Sequence, residues 1–192
     1  ITKSGGIEQL VRGMLGFPND LEIQENGCAA LCNLIANRHD TKVRAARSGS
    51  IRAVILSMKN FPFEPELTQM ACAVLRSLAL GVPENKVSIV AHGGIRQLCE
   101  AMARHRTNAD VNTQAIAALC NLTSQFPENK RGICEAGGLE MTIAALLMHP
   151  ASQELQQQGT VLLHNLACEH SLRPQLIAAG ASRVAEAAVQ HP

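Results

Sequence analysis

Cys28 and Cys32 are the residues whose types and spacing could most directly do chemistry. They lie four residues apart in a helical pattern, with His39 a short way downstream. Thiolates and an imidazole can bind a soft metal, but a zinc site needs three or four converging ligands. Only Cys72 repeats the position of Cys28 later in the chain. We therefore interpret these cysteines as packed core residues and predict neither a metal nor a cofactor.

The seven cysteines of the chain carry no recognisable disulfide framework. Their number is odd and no pair has CxxC spacing, which is typical of thiols in a reducing compartment. The sequence has no signal peptide and no apolar run near the roughly 18 residues that a membrane span requires. We expect an intracellular protein, cytoplasmic or also nuclear, without a transmembrane segment.

Other arrangements that support catalysis do not occur in the sequence. It has no Gly-rich phosphate loop, no paired-carboxylate pocket and no nucleophile–base signature, so we predict that the protein is not an enzyme. A formal net charge of +1 leaves no basic footprint for nucleic acid over the whole chain. The composition is 46% hydrophobic but only 2% aromatic, without Trp or Tyr, and such a core favours packed helices over a sheet sandwich.

Cys32 belongs to a hexapeptide, AALCNL, that occurs at Ala29–Leu34 and again at Ala117–Leu122. The hexapeptide is one register of an internal repeat with a step of 44 residues, because variants of it occupy the intervening copies. We number the residues of each copy relative to the residue that precedes the final leucine of this hexapeptide or its variant, and call that residue position 0. Position 0 is occupied by Asn33, Ser77, Asn121 and Asn165. The units run approximately over residues 5–48, 49–92, 93–136 and 137–179, with a partial unit at 180–192.

Each unit reads as three helices. The long one, for example Asp110–Ser124, carries an apolar stripe at positions −10, −2 and +1 and a tiny residue at position −6, which lets a neighbouring helix approach closely. A short helix follows, roughly Asn129–Ala136, with Asn85 and Asn129 predicted as N-caps. A Gly-Gly or Gly-Ser pair then ends it through a left-handed residue, and a second helix such as Ile95–Arg104 begins.

A three-helix unit of about 44 residues with a double-glycine bend resembles the armadillo repeat. The third unit carries the pattern as Gly94-Ile95, Leu98, Val111, Ala118–Leu122, Glu128–Lys130, Ile133 and Ala136–Gly138. The resemblance covers the whole chain and implies an all-α, right-handed superhelical solenoid of about four units plus partial end units, as one domain over residues 1–192. Because the chain begins at Ile1 and ends without a polar cap, we expect a fragment of a longer array.

The resemblance also implies that the position-0 asparagine points into a concave groove and binds an extended peptide. A carboxamide carries both a donor and an acceptor, so it can pair with the N–H and C=O of one peptide unit. Positions −7, −4 and +4 share the same side of the long helix, and we call this side the ladder face. The predicted partner-binding residues on it are Asn26, Asn33, Asn37, Met70, Ser77, Gln114, Asn121, Gln125, Gln158, Asn165 and Glu169.

The ladder face departs from two well-known branches of the armadillo family. Importin-α-like proteins carry Trp at position −4, where this chain has Ala29, Ala73, Ala117 and Val161. β-Catenin-like proteins have a strongly basic groove, whereas no Lys or Arg occupies positions −7, −4, 0 or +4 here. We therefore predict a module that binds a protein or peptide partner of neither type.

Two further surfaces support an alternative role as a structural scaffold or oligomerisation array. The ends of the array expose apolar stripes through which copies or other domains could associate. A basic cluster lies outside the predicted groove and is either a solvated face or a patch for an acidic partner or lipid headgroups. Its residues are Arg38, Lys42, Arg44, Arg47 and Arg52.

Overall fold

The computed structural model describes residues 5–36 and 38–184, and within these residues the secondary structure is helical without a strand. Asn37, one of the predicted groove residues, lies outside the described residues. The chain forms two compact units, residues 1–97 and 98–192. The expectation of one continuous domain over residues 1–192 stays a prediction. No helix within the described ranges is long and apolar enough to cross a membrane.

The helices follow one order in both units. Unit 1 contains α1 (Gly6–Gly16), α2 (Leu21–Ile35), α3 (His39–Arg47), α4 (Ser50–Asn60), α5 (Pro65–Ala79) and α6 (Pro83–Ala91). Helix α7 (Gly94–Arg104) includes the boundary between the units. Unit 2 continues with α8 (Ala109–Thr123), α9 (Pro127–Glu135), α10 (Gly138–Met148), α11 (Gln153–Ala167), a 3-10 turn (His170–Leu172) and α12 (Arg173–Ala178).

The helix lengths repeat as regularly as the sequence does. From α1 to α11 they run through 11, 15 and 9 residues in a fixed cycle. The cycle breaks after α11, where a 3-10 turn and the six-residue α12 replace a nine-residue helix. Pro174 accounts for the break, because proline lacks a backbone N–H and is accommodated best in the first turn of a helix.

The apolar stripe of the long helices forms the core, as predicted. Position −10 is fully buried in three copies, at Leu67, Val111 and Leu155. Leu31 and Leu119, at position −2 of the two AALCNL copies, are also completely buried. The half-buried exceptions at stripe positions −10 and +1, Ile23 and Leu34, both belong to α2.

The tiny residue at position −6 of the long helix allows the 11-residue helix of the same repeat to pack closely against it. A Cβ atom on Gly27 would lie 2.6 Å from Cγ of Met14, and one on Gly159 would lie 2.6 Å from Cδ2 of Leu146. In each case the crowding atom belongs to the preceding 11-residue helix. The prediction of a close helix approach at this position is therefore confirmed.

The two glycines of the bend are needed for different reasons. Gly137 adopts φ +78°, a left-handed conformation that strains other residues. Gly138 leaves no room for a side chain, since its Cβ would lie 2.7 Å from Cγ2 and 3.0 Å from the carbonyl oxygen of Ile133. Ser50 replaces this second glycine in the second repeat, where the residue equivalent to Ile133 is the smaller Ala45.

The prediction that Asn85 and Asn129 are N-caps is wrong. Proline occupies N1 of α6 and of α9, so Val82 and Phe126 are the N-caps and the asparagines lie in the first turn. Their buried amides point back to the end of the long helix instead. Asn85 Nδ2 donates to Leu78 O at 3.0 Å, and Asn129 Nδ2 donates to Leu122 O at 2.8 Å. Each bond satisfies a carbonyl that the end of the helix leaves without a partner.

A second set of side chains secures the other turn of the repeat. Gln24 Nε2 donates to the carbonyls of Met14 and Phe17 at 2.9 and 2.8 Å. Gln156, three repeats later, donates in the same way to Leu146 O and His149 O at 2.8 and 3.1 Å. Both glutamines occupy position −9 and bond the end of the 11-residue helix to the long helix that follows. Neither the 44-residue step nor the helical periodicity indicates this contact.

We predict that Asn129→Ala lowers the free energy of unfolding by about 1–3 kcal/mol, because it leaves the Leu122 carbonyl without its buried donor. Equilibrium urea denaturation measures the change. The exposed neighbour Glu128 provides a control on the same helix, and Glu128→Ala should change stability by about 0.5 kcal/mol or less. Equal effects of the two substitutions would contradict the assigned role of Asn129.

A pair of Gly→Ala substitutions tests the packing at the double-glycine bend. Gly138→Ala should destabilise the protein by about 1–3 kcal/mol, because its methyl group would crowd Ile133. Gly13→Ala should stabilise it by about 0.5–1 kcal/mol, because α1 gains a better helix former and nothing lies within 4 Å of the new Cβ. Thermal and urea unfolding measure both, and a gain in stability for Gly138→Ala would refute the packing argument.

Candidate functional site

The ladder face of unit 1 carries carboxamides on α2 but a methionine and a serine on α5. Asn26 and Asn33 on α2 are exposed, so both carboxamides are accessible. Met70 and Ser77 on α5 are half-buried and replace carboxamides found at the same positions of other repeats. The second repeat can therefore offer a partner apolar contact but fewer hydrogen bonds.

The ladder face of unit 2 carries carboxamides on two neighbouring long helices. On α8, Gln114 and Asn121 are half-buried, and on α11 Gln158 and Asn165 are half-buried. Asn165 Nδ2 donates to Oγ1 of Thr123, at the end of α8, over 3.0 Å. This bond places the predicted ladder residue of α11 beside the adjacent repeat.

Two predicted residues lie just beyond the long helices. Gln125 is exposed and adopts φ +69°, a left-handed conformation for which the equivalent Gly81, at φ +74°, is better suited. Glu169 accepts a hydrogen bond from Ser171 Oγ at 2.9 Å and lies 3.8 Å from a guanidinium nitrogen of Arg131. The Ser171 hydrogen bond and the neighbouring cations Arg131 and Lys130 lower the pKa of Glu169, although partial burial opposes them. Glu169 is therefore ionised and already has a cationic neighbour.

The floor of the ladder face, at position −4, is made of small side chains. Ala29 and Ala73 are half-buried and Ala117 is buried. Val161 is 43% exposed and is the largest side chain at this position. Such a floor leaves room above it and offers no aromatic slot for a lysine side chain.

The cysteines of the two AALCNL copies make the same contact. Cys32 Sγ donates to Met70 O at 3.6 Å, and Cys120 Sγ donates to Gln158 O at 3.3 Å. In both copies a thiol at position −1 meets the carbonyl at position −7 of the next long helix. The duplicated hexapeptide places a cysteine at position −1 in both copies, so one sequence feature accounts for both contacts.

Cys28 and Cys72 are completely buried in the core of unit 1. No group of three or more His, Cys, Asp or Glu side chains that could hold a metal occurs within residues 5–36 and 38–184. Burial raises the pKa of Cys28 to about 12 and also raises the pKa of Cys72. Neither thiol forms a reactive thiolate near neutral pH.

The predicted basic cluster is divided by contacts within unit 1. Lys42 is buried, and its ammonium group donates to Leu80 O at 3.1 Å. Arg44 forms a two-pronged ion pair with Glu8, at 2.7 and 2.8 Å. Arg38, Arg47 and Arg52 are exposed. Two of the five cations are thus already engaged inside the fold, Arg44 with a carboxylate and Lys42 with a backbone carbonyl.

An open groove of about 690 Å³ lies along α1 and α2 in unit 1. Leu10, Ile23, Asn26 and Ala30 are among the residues that line it. The first, second and fourth are half-buried, whereas the residues at the same positions of the next repeat are completely buried. Those buried equivalents are Val54, Leu67 and Val74.

Solved structures share this fold. An engineered protein solved by the Northeast Structural Genomics Consortium superposes with a TM-score of 0.84 at 23% identity, covering 98% of this chain and 78% of its own. A computationally designed armadillo repeat protein for modular peptide recognition gives a TM-score of 0.83 at 21% identity, covering 96% and 74%. A further designed armadillo repeat protein, in complex with the peptide (KR)4, gives 0.77 at 19% identity, covering 92% and 71%.

These likenesses confirm the all-α armadillo-repeat fold predicted from the 44-residue step. No curated protein matches the chain. A family model does, over residues 2–189, and therefore over nearly the full length. Its description is Protein zer-1 homolog-like, C-terminal domain. The chain accordingly belongs to the family of zer-1 homolog-like C-terminal domains.

Proposed function

We propose that this chain is a non-enzymatic protein-interaction module that binds an extended peptide segment along its ladder face. The observation that carries the proposal is the recurrence of a carboxamide at position 0, in Asn33, Asn121 and Asn165. Of these, Asn33 is exposed and Asn165 lies against the neighbouring repeat. Two of the designed proteins with this fold recognise peptides according to their descriptions, which supports the same use here.

The chemistry of the ladder face favours recognition of the peptide backbone over recognition of charged side chains. Carboxamides pair with main-chain N–H and C=O groups whatever the side chains of the ligand are. Glu169 is the one acidic residue among the predicted contacts, and Arg131 and Ser171 already surround it. A neutral segment with an apolar side chain opposite Met70 and Ser77 fits these properties best.

The cellular setting that fits this function is intracellular. All seven cysteines are free, and six of them are buried or half-buried among helices. Thiols persist in this state in reducing compartments.

The ladder proposal predicts that Asn121→Ala and Asn165→Ala each weaken peptide binding by about 1–2 kcal/mol, through loss of a paired hydrogen bond. The probe is a peptide selected on the wild-type protein from a displayed library of random sequences, and calorimetry measures its affinity. Asn33→Ala removes an exposed ladder carboxamide with little consequence for packing.

The matched control is Gln153→Ala, on α11 but outside the ladder face. It should leave the affinity unchanged, and circular dichroism confirms that every variant stays folded. If all three asparagine variants bind the selected peptide as tightly as the wild type, the ladder face is not the binding site.

A second candidate function is association through the open groove of α1 and α2. Three of its apolar lining residues, Leu10, Ile23 and Ala30, match positions that are buried in the next repeat, so this part of the groove resembles an interface between repeats. The occupant that fits it is an armadillo-type helix pair, which would make the chain part of a scaffold or an oligomer.

The association hypothesis predicts a molar mass that rises with protein concentration in light scattering coupled to size-exclusion chromatography. Leu10→Glu places a charge in the groove and should reduce the mass to that of the monomer. Arg12→Glu, on the same helix but exposed and outside the groove, is the control and should not. A wild-type protein that stays monomeric at every concentration would eliminate self-association.

A further inference from the structure

Thr123 connects two hydrogen bonds at the point where α8 meets α11. Its Oγ1 lies 2.7 Å from the carbonyl oxygen of Cys120, and Nδ2 of Asn165 lies 3.0 Å from the same Oγ1. Thr123 is buried, with 3% of its surface exposed. The three groups thus form a short chain that begins in the helix backbone and ends on a ladder residue.

The donor and acceptor groups of these three residues determine the orientation of the Asn165 amide. A hydroxyl has one hydrogen, and a carbonyl can only accept, so Thr123 must donate to Cys120 O. Its oxygen is then left as an acceptor, and the group of Asn165 that meets it must be the N–H. The two hydrogen bonds together therefore fix the orientation of the Asn165 amide.

The hydroxyl occurs in one repeat only. The residue two places after position 0 is Ile35, Ala79, Thr123 or Ala167 in the four copies. Isoleucine and alanine cannot accept a hydrogen bond through their side chains. Among the ladder residues, Asn165 is therefore the one whose partner at this position fixes its orientation.

We propose that Thr123 is a positioning residue for peptide binding, which holds Asn165 so that its Oδ1 is presented to a backbone N–H of the ligand. The proposal rests on the proposed function of the ladder face. A preoriented acceptor does not lose rotamer freedom when the ligand arrives, which favours affinity. Because it selects an N–H over a C=O at one place, it also sets the register of the bound backbone.

The first part of the test needs no ligand. In NMR spectra of the 192-residue protein, the Asn165 side-chain amide protons should exchange slowly with water in the wild type. Thr123→Ser keeps the hydroxyl and should preserve this protection, whereas Thr123→Val keeps the size and should abolish it. Backbone amide spectra establish that both variants are folded. Protection that is unchanged in Thr123→Val would overturn the positioning role.

The second part uses the library-selected peptide as the probe. Thr123→Val should raise Kd by about 3- to 10-fold, and Thr123→Ser should keep Kd within about twofold of the wild type. N-methylation of the ligand residue that meets Asn165 should weaken wild-type binding, and its effect should not add to that of Asn165→Ala.

The outcomes separate this proposal from the proposed function. Loss of amide protection in Thr123→Val without a change in Kd would show that the ligand does not use the oriented Oδ1, which overturns the proposal. If Asn121→Ala and Asn33→Ala also leave Kd unchanged, the ladder function itself fails. If those two weaken binding and the Thr123 variants do not, the ladder function stands and the role of Thr123 does not.

Discussion

The carbonyl groups at helix ends impose the constraint that organises this chain. A helix leaves its last four carbonyls without intrahelical partners, and the helices from α1 to α11 are only 9, 11 or 15 residues long. Because the helices pack closely, some of those carbonyls are buried and need donors from side chains. Amides at position −9 serve the end of the 11-residue helix, and amides in the short helix serve the end of the long one. Where these amides occur, the donor comes from the next helix along the chain.

The same group serves the interior and the surface. A carboxamide can satisfy a buried carbonyl, as Asn129 does, and it can be left half-exposed at position 0 for a ligand. Asn165 combines the two roles, since its N–H is used inside unit 2 and its oxygen remains. Arg173, in register with Asn129 but exposed, donates from Nε to Ala167 O at 3.0 Å, so a guanidinium can also supply a donor from this position of the repeat. A carboxamide is required only where both a donor and an acceptor are used.

The repeated cysteines add a weaker form of the same contact. Cys32 and Cys120 join position −1 of one long helix to a carbonyl of the next long helix within their units. A thiol is small enough to fit between closely packed helices and still donate, although its hydrogen bonds are weak. The duplicated AALCNL segment therefore forms a packing contact that includes a hydrogen bond in both copies. Burial raises the pKa of the nearby Cys28 thiol, which keeps it unreactive.

The sequence by itself determined the repeat, the helix types and the core. The step of 44 residues, the apolar stripe at fixed positions and the left-handed glycine are local or periodic properties of the sequence. They predicted the helix bounds of the third repeat to within about two residues. The partner of Asn129 was not predictable in this way. Because α9 begins at a proline two residues before it, Asn129 is not the N-cap but lies in the first turn, where its buried amide donates to the preceding long helix. Likewise, the sequence pattern placed Lys42 and Arg44 in a basic surface cluster, because their partners, Leu80 and Glu8, lie 38 and 36 residues away in the chain. Only the tertiary structure decided these contacts, and the orientation of Asn165 against Thr123, because each depends on the directions of side chains from elements distant in the chain. Periodicity specifies which face of a helix is buried, whereas a hydrogen bond needs a donor and an acceptor about 3 Å apart.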